Sequence, residues 1–93
     1  MAAPNFDWDE NKNHENIQKH SISFEKAQLV FKDPKRIVAV DLKHSTQNET
    51  RYYCFGKIEE DIVTVRFTWR QEKIRIFGAG YWRKGRKEYE EKN

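Results

Sequence analysis

The stretch IVTVRFTWRQEKIRI, residues 62–76, decides the fold of this chain because its apolar and polar side chains alternate. A period of two is typical of a strand that buries one face, and the pattern predicts two strands joined by a turn at residues 71–72. In this register the cross-strand pairs are Trp69 with Ile74 and Phe67 with Ile76. The apolar side chains of both arms then lie on one face, as a half-buried hairpin requires.

The opposite face of the predicted hairpin is cationic. Its basic side chains are Arg66, Arg70, Lys73 and Arg75. Several cations on a rigid sheet could hold a phosphodiester and stabilise the charge that develops on phosphorus when it is cleaved. The alternative is that these are solvated strand residues without a ligand.

Outward from the hairpin, segments 50–56 and 37–40 are rich in aromatic or β-branched residues, and they predict two more strands. Four strands that follow one another without helical crossovers pair as an antiparallel meander. The polar segment 82–92 predicts a short terminal helix with Trp82 and Tyr89 facing inwards.

The first third of the chain predicts two helices. Asp9 is a suitable N-cap for a helix over residues 10–20, because its carboxylate can accept the free N–H groups of the first turn. Ser23 is the corresponding cap of a second helix. That helix ends at Asp33-Pro34, since the residue before a proline avoids the helical conformation.

Together these elements predict one small α+β domain over residues 1–93, with two N-terminal helices, a four-stranded antiparallel meander sheet and a short C-terminal helix. Residues 1–5 are expected to be a loose tail. Phe6 and Trp8 predict either a short strand or an extended anchor. The expected core consists of Phe24, Phe31, Val63, Val65, Phe67, Trp69, Ile74 and Ile76.

The composition limits the class of protein. Of the 93 residues, 37% are hydrophobic and 35% are charged, which supports one modest core. The chain lacks the run of about 18–20 apolar residues that a membrane span needs, and residues 1–9 do not resemble a signal peptide, so a cytoplasmic location is expected. Cys54 is the single cysteine and is expected to be buried. His14 and His20 lie six residues apart, so they do not share a helix face and no metal site is expected.

The net charge of +3 is unevenly distributed. Residues 1–31 carry −2, residues 32–65 carry 0 and residues 66–93 carry +5. Basic residues among aromatic ones suit nucleic acid, because phosphates need cations and unstacked bases need flat faces. Beyond the hairpin, the basic segment Arg83-Lys84-x-Arg86-Lys87 suits non-specific phosphate contact. Its alternative role is to keep a terminal helix soluble.

His20 is the first candidate for acid–base chemistry, because histidine titrates near neutral pH. It could equally stabilise the C-terminus of the first helix, where the helix dipole favours a cation. The sequence has no phosphate-binding glycine loop, nucleophile elbow or metal-ligand spacing.

A long spaced pattern runs through most of the chain. It begins Phe6-x-Trp8-Asp9-x-x-Lys12-x-x-x-Asn16-x-x-Lys19-His20-x-Ile22-x-Phe24-x-x-Ala27-x-x-x-Phe31-x-Asp33-Pro34. It continues through Glu49-x-Arg51-Tyr52-x-x-x-Gly56, Val63-x-Val65-x-Phe67-Thr68-x-Arg70 and Ile74-Arg75-Ile76. These residues resemble the BrnT family, the toxins of type II toxin–antitoxin pairs.

The resemblance implies a RelE-like ribonuclease fold, with helices packed on one face of an antiparallel sheet. It implies an endoribonuclease that uses no metal or cofactor, in which the ribose 2′-hydroxyl attacks the adjacent phosphate, and whose cleavage inhibits translation. By position, the implied catalytic residues are Lys19, His20, Arg51, Arg70 and Arg75. The implied partner is a BrnA-type antitoxin in a heterotetramer, with operator DNA bound only through the antitoxin and no membrane partner.

One segment departs from the family pattern. Many members have Ser-Ala-Arg-x-Ala after the last strand, whereas this chain has Gly78-Ala79-Gly80-Tyr81-Trp82, so Gly80 stands at the arginine position. Two functions therefore remain open. The first is an RNA endonuclease toxin. The alternative is a catalytically decayed module that binds RNA or the antitoxin without nuclease activity.

Overall fold

The structure is a computed structural model that describes residues 5–93. Its elements in chain order are β1 (Phe6–Trp8), α1 (Glu10–His20), α2 (Phe24–Ala27), a 3₁₀ segment (Gln28–Lys32), β2 (Ile37–Val40), β3 (Tyr52–Ile58), β4 (Asp61–Arg70), β5 (Lys73–Gly80) and α3 (Arg83–Lys92). Among them, no helix has the length and apolar character needed to cross a membrane. Of the expected tail at residues 1–5, residues 1–4 lie outside the described part. Asn5 accepts a backbone hydrogen bond from Ile74 (2.9 Å) and so extends the pairing of β1.

Strands β4 and β5 form the predicted hairpin in the predicted register, with Trp69 opposite Ile74 and Phe67 opposite Ile76. Gln71 and Glu72 have φ angles of 53° and 63°. Two successive left-handed residues are typical of the tight turn whose twist matches that of the strands.

The sheet has five strands in the order β1-β5-β4-β3-β2, so the prediction of four antiparallel strands is wrong. Strands β2 to β5 do form an antiparallel meander, but β1 pairs with β5 in parallel. Phe6 lies opposite Ile74 and Trp8 opposite Ile76. A three-residue alternation does not identify a partner at the far end of the chain, which explains why local patterning left β1 open.

The first predicted helix has the predicted bounds, and Asp9 caps it by accepting hydrogen bonds from the N–H groups of Asn11 and Lys12. The second predicted helix is only partly α-helical. Ser23 caps α2 as predicted, but after Ala27 the chain continues in 3₁₀ geometry up to Lys32. The two N-terminal helices of the prediction are thus one regular helix and one short α turn with a 3₁₀ extension.

The two faces of the sheet are covered differently. The face that we call the first face carries the core side chains Cys54, Val63, Val65, Phe67, Ile74 and Ile76, which pack with Phe24 and Val30 of the α2 and 3₁₀ segments. Helix α3 lies on the second face, where Gly85 meets Thr64 and Phe55. The resemblance implied that the helices pack on one face of the sheet. This is wrong, because α3 lies on the second face.

The structure tests the burial predicted for four aromatic side chains. Trp69 was expected in the core but is 54% exposed, because it stands beside the hairpin turn, at the end of the first face. Phe31 is only partly buried and packs against the core. Tyr89 of α3 is buried as predicted, whereas Trp82 is 37% exposed.

Helix α1 is held in place by buried asparagines, and its aliphatic residue Ile17 is 42% exposed. β1 ends opposite Ile76, so the edge of β5 beyond that point has no strand partner. Asn16 fills this position. Its amide nitrogen donates to the Ala79 carbonyl (3.0 Å) and its amide oxygen accepts from the Ala79 N–H (3.1 Å). Asn13 similarly accepts the N–H of Phe24 (2.8 Å). These bonds fix α1 along the edge of β5, beside the second face.

Candidate functional site

A cationic pocket of about 270 Å³ opens between α1, the loop after β2 and the second face of the sheet. It is lined by Lys12, Glu15, Asn16, Lys19, His20, Asp41, His44, Arg51, Arg66 and Phe77. Four of these side chains are permanent cations, two are histidines and two are carboxylates. A concave site with this balance suits an anionic ligand and contains groups able to transfer a proton.

Helix periodicity explains the contribution of α1. Glu15 and Asn16 each lie three or four residues from both Lys12 and Lys19, so all four share one face of the helix. Since Asn16 binds the backbone of β5, this face is turned towards the sheet. The two lysines are therefore placed at the pocket by the same contact that anchors the helix.

Phe77, which lies at a β-bulge in β5, supplies the aromatic part of the pocket. Arg66 of β4 pairs with Gly78 and Phe67 pairs with Ile76, so Phe77 has no partner in β4. Its ring lines the pocket on the face opposite to Ile76, and the bulge shifts the pairing so that Gly78 also lies opposite a second-face residue, Arg66. The guanidinium carbon of Arg51 lies 4.1 Å from the centre of the Phe77 ring, within cation–π range.

Glu49 organises two arginines at the rim. Its Oε1 accepts from Nε of Arg51 (3.2 Å) and its Oε2 accepts from Nη2 of Arg70 (2.9 Å). The hydrogen bond from Arg70, followed by that from Arg51, holds the pKa of Glu49 below its usual value. One ionised carboxylate thus fixes the guanidinium groups on either side of it.

Arg66 lies deeper. Its guanidinium group lies against Gly78, where an added Cβ would approach Nη2 to 2.8 Å. Its Nε is buried and makes no hydrogen bond with any described residue. The small residue at position 78 therefore makes room for a charged group at the base of the pocket.

His44 and Asp41 form a close side-chain pair at one wall. His44 Nδ1 lies 2.7 Å from Asp41 Oδ2, and the Asp41 side chain is 4% exposed. Burial opposes ionisation of this carboxyl group, but hydrogen bonds from His44 and Tyr53 outweigh it, so the pKa of Asp41 is lowered. Burial raises the pKa of Tyr53, and the nearby Asp41 carboxylate raises it further.

The predicted catalytic residues are only partly brought together. Lys19, His20 and Arg51 line the pocket. Arg70 lies at the rim, 5.9 Å from the centre of the Phe77 ring. Arg75 is outside the pocket lining, and its Nη1 donates to Asp7 of β1 (2.7 Å).

The residues predicted to bind nucleic acid are spread over three regions. Arg66 lines the pocket, and Lys73 is exposed beside the hairpin turn. The remaining four, Arg83, Lys84, Arg86 and Lys87, are exposed on α3. Arg86 and Lys87 lie near Glu90 and Glu91, one turn further along the helix (3.6 and 3.9 Å).

Position 80 has no space for a side chain in this chain. A Cβ on Gly80 would lie 2.8 Å from Cζ2 of Trp82. The Trp82 ring in turn packs edge-on against His20, with 5.1 Å between ring centres. Trp82 therefore covers the position where many BrnT members are expected to carry arginine.

Six pocket residues were not among the predicted site residues: Lys12, Glu15, Asn16, Asp41, His44 and Phe77. Lys12 lies seven residues before Lys19, and this helical spacing was the signal that could have found it. Asp41 and His44 form a short turn between two strands, and nothing local indicates which way that turn faces. Phe77 falls on the same face as Arg75 by the alternation that starts at Ile74, and this phase was the signal that could have found it.

The comparisons with known proteins give one family. A search of curated proteins found no match to the chain. The family model of BrnT, the ribonuclease toxin of type II toxin–antitoxin systems, matches residues 8–86. This match covers most of the 93 residues, including every residue of the cationic pocket. The chain therefore belongs to the BrnT family of ribonuclease toxins.

Proposed function

We propose that this chain is an RNA endonuclease toxin that works without a metal ion and inhibits translation in the cytoplasm by cleaving RNA. The observation that carries the proposal is the cationic pocket, where Lys12, Lys19, Arg51 and Arg66 surround two histidines and an aromatic ring. Family membership supplies the toxin–antitoxin context, and the pocket supplies groups suited to the reaction.

The chemistry is transesterification within the RNA strand. The 2′-oxygen of one ribose loses its proton and bonds to the adjacent phosphorus, the bond from phosphorus to the 5′-oxygen breaks, and the 5′-oxygen takes up a proton. The products are a 2′,3′-cyclic phosphate and a 5′-hydroxyl. Because the transition state carries extra negative charge on phosphorus, fixed arginine and lysine side chains stabilise it more than the substrate.

We also propose a BrnA-type antitoxin as the partner, in a heterotetramer that binds operator DNA through the antitoxin. An apolar stripe on the edge strand β2 supports a protein partner. Val38 and Val40 are 52% and 49% exposed, and Leu42 just beyond the strand is 84% exposed. Apolar side chains exposed in a row beside an edge strand are typical of a protein interface.

The test is induction of the full chain in a bacterial host, alone and together with the adjacent antitoxin. Growth arrest and RNA fragments with 5′-hydroxyl ends are expected alone, and normal growth with the antitoxin. Lys19→Ala should weaken the arrest at equal expression, because it removes a pocket cation. Lys26→Ala, the same change on the exposed side of α2, should not. Normal growth and intact RNA under strong induction of the wild type would contradict the proposal.

The alternative function is a module that binds RNA or the antitoxin without cleaving. Gly80 favours it, because Trp82 covers the position that often carries arginine in the family. This alternative predicts that the purified chain binds RNA or the antitoxin while the RNA stays intact at long incubation times.

A further inference from the structure

The pair formed by Asp41 and His44 has the geometry of an oriented histidine. Asp41 is nearly fully buried, whereas the His44 side chain is 41% exposed and lines the pocket. Their contact, 2.7 Å between Oδ2 and Nδ1, is the shortest hydrogen bond that either side chain makes in the described chain.

The loop that carries this pair is firmly held. The N–H of Asp41 donates to the Arg51 carbonyl (2.7 Å), and the Asp41 carbonyl accepts from Ser45 N–H (3.1 Å) and Ser45 Oγ (2.7 Å). Asp41 Oδ1 also accepts the N–H of His44 (3.3 Å). A side chain that is positioned by several such bonds loses little freedom when it acts on a substrate.

The pairing decides where the histidine proton sits. An ionised carboxylate only accepts hydrogen bonds, so Nδ1 of His44 must carry the proton that points at Asp41. In the neutral ring, Nε2 then carries the free lone pair. This is the arrangement in which a histidine can remove a proton from a hydroxyl group.

We propose that His44 is the general base that removes the 2′-hydroxyl proton, and that Asp41 is the positioning residue that holds its ring with Nε2 available to the RNA. This assignment rests on the proposed ribonuclease function. In the step, the proton moves from the 2′-oxygen to Nε2 as the oxygen bonds to phosphorus, and the 5′-oxygen leaves with a proton from another donor.

His20, the other histidine of the pocket, is placed differently. Its ring packs against Trp82, and no acceptor among residues 5–93 fixes its tautomer in the same way. The charged or titratable groups that face His44 across the pocket are Lys12, Glu15, Lys19 and His20 of α1, Arg51 and Arg66. Cations dominate this set, and they favour the anionic oxygen that forms when His44 takes the proton.

The experiment uses the purified full chain and a mixed-sequence RNA under single-turnover conditions. His44→Ala is expected to lower the cleavage rate about 100- to 10,000-fold, the usual contribution of a general base. Its affinity for the same RNA carrying 2′-O-methyl groups should be unchanged. His14→Ala, on the exposed side of α1, is the matched control and should cleave like the wild type.

Three readouts separate catalysis from folding. A general base acts only when it is unprotonated, so the wild-type rate should rise with pH, and this limb should vanish in His44→Ala. Added imidazole should restore part of the His44→Ala rate. Asp41→Asn, nearly the same shape, should flatten the same limb while the melting temperature shows the chain is folded.

Two results would overturn the assignment of His44 as the general base, and a third would refute the proposed ribonuclease function as well. A wild-type rate in His44→Ala excludes the base role. Full recovery of His44→Ala on RNA with a 5′-bridging sulfur, a leaving group that needs no proton, would make His44 the acid instead. Absence of any cleavage by the wild type would refute the proposed function itself, and with it this role.

Discussion

At the scale of single residues, Asp33 has a larger role than the sequence indicates. Its position before Pro34 predicts only the end of a helix. In the structure its Oδ1 accepts the N–H of Lys35 (2.8 Å), and its Oδ2 accepts the N–H of Lys57 (2.8 Å) and the hydroxyl of Tyr89. One carboxylate thus joins the turn before β2, strand β3 and helix α3.

Asp33→Asn should lower the free energy of unfolding by about 2 kcal/mol at pH 7, because the neutral amide weakens charge-assisted hydrogen bonds and cannot accept all of them. Burial opposes ionisation, but the bonds from Tyr89, Lys35 and Lys57 outweigh it and lower the pKa of Asp33. A lowered pKa stabilises the fold above the unfolded pKa, and this stability is lost as pH falls through the folded value.

Urea unfolding of both proteins between pH 7 and pH 3 checks this prediction. The difference between wild type and Asp33→Asn should shrink below about pH 4, near the pKa of an unfolded aspartate. Asp61→Asn, the same change at an exposed position in β4, is the control and should leave stability nearly unaltered. A deficit that stays constant down to pH 3 would show that Asp33 acts by packing rather than by charge.

At the scale of elements, the attachment of α3 depends on the absence of a side chain at position 85. A Cβ there would lie 1.9 Å from Oγ1 of Thr64 and 2.9 Å from the Phe55 ring. Gly85→Ala should therefore lower the free energy of unfolding by about 1–3 kcal/mol, the range typical of overpacking. This holds even though alanine is the better helix former.

A double-mutant cycle tests the cause. Thr64 Oγ1 is buried and has no hydrogen-bond partner among the described residues, so Thr64→Ala should itself cost little. It should recover part of the stability lost in Gly85→Ala, which urea unfolding of the four proteins measures. Lys84→Ala, next to Gly85 but exposed, is the control. Additive effects of the two substitutions would argue against the contact as the cause.

The elements show what the sequence can predict. The β4–β5 register follows from a period of two within fifteen residues, and the bounds of α1 follow from its cap, so both are confirmed. Strand β1 depends on pairing with a distant segment, β5, which local patterns do not specify. The residues of the site also divide into those that a sequence pattern indicates and those that only the fold brings together. Lys19 and Arg51 were found from the family pattern, whereas His44 requires the path of a loop in three dimensions.

At the scale of the whole molecule, the charge gradient along the sequence is not the charge distribution of the surface. Five of the nine cations in residues 66–93 lie beside a carboxylate in the fold. The pairs are Arg70 with Glu49, Arg75 with Asp7, Arg86 with Glu90, Lys87 with Glu91 and Lys92 with Glu88. The pocket instead gathers cations from all three thirds of the chain, so RNA should be attracted to the pocket more than to α3.

The salt dependence of RNA binding distinguishes these two surfaces, because each phosphate contact on a single strand contributes about −0.7 to the slope of log affinity against log salt concentration. With the pocket cations as the contacts, a 2′-O-methyl RNA should give a slope of about −2 to −3. Lys12→Ala should make that slope less steep by about 0.7. Lys87→Ala, which removes a cation already beside Glu91, should leave it unchanged. A slope changed by Lys87→Ala and not by Lys12→Ala would show that RNA binds α3 rather than the pocket. The terminal cations would then be the binding surface that the sequence predicts.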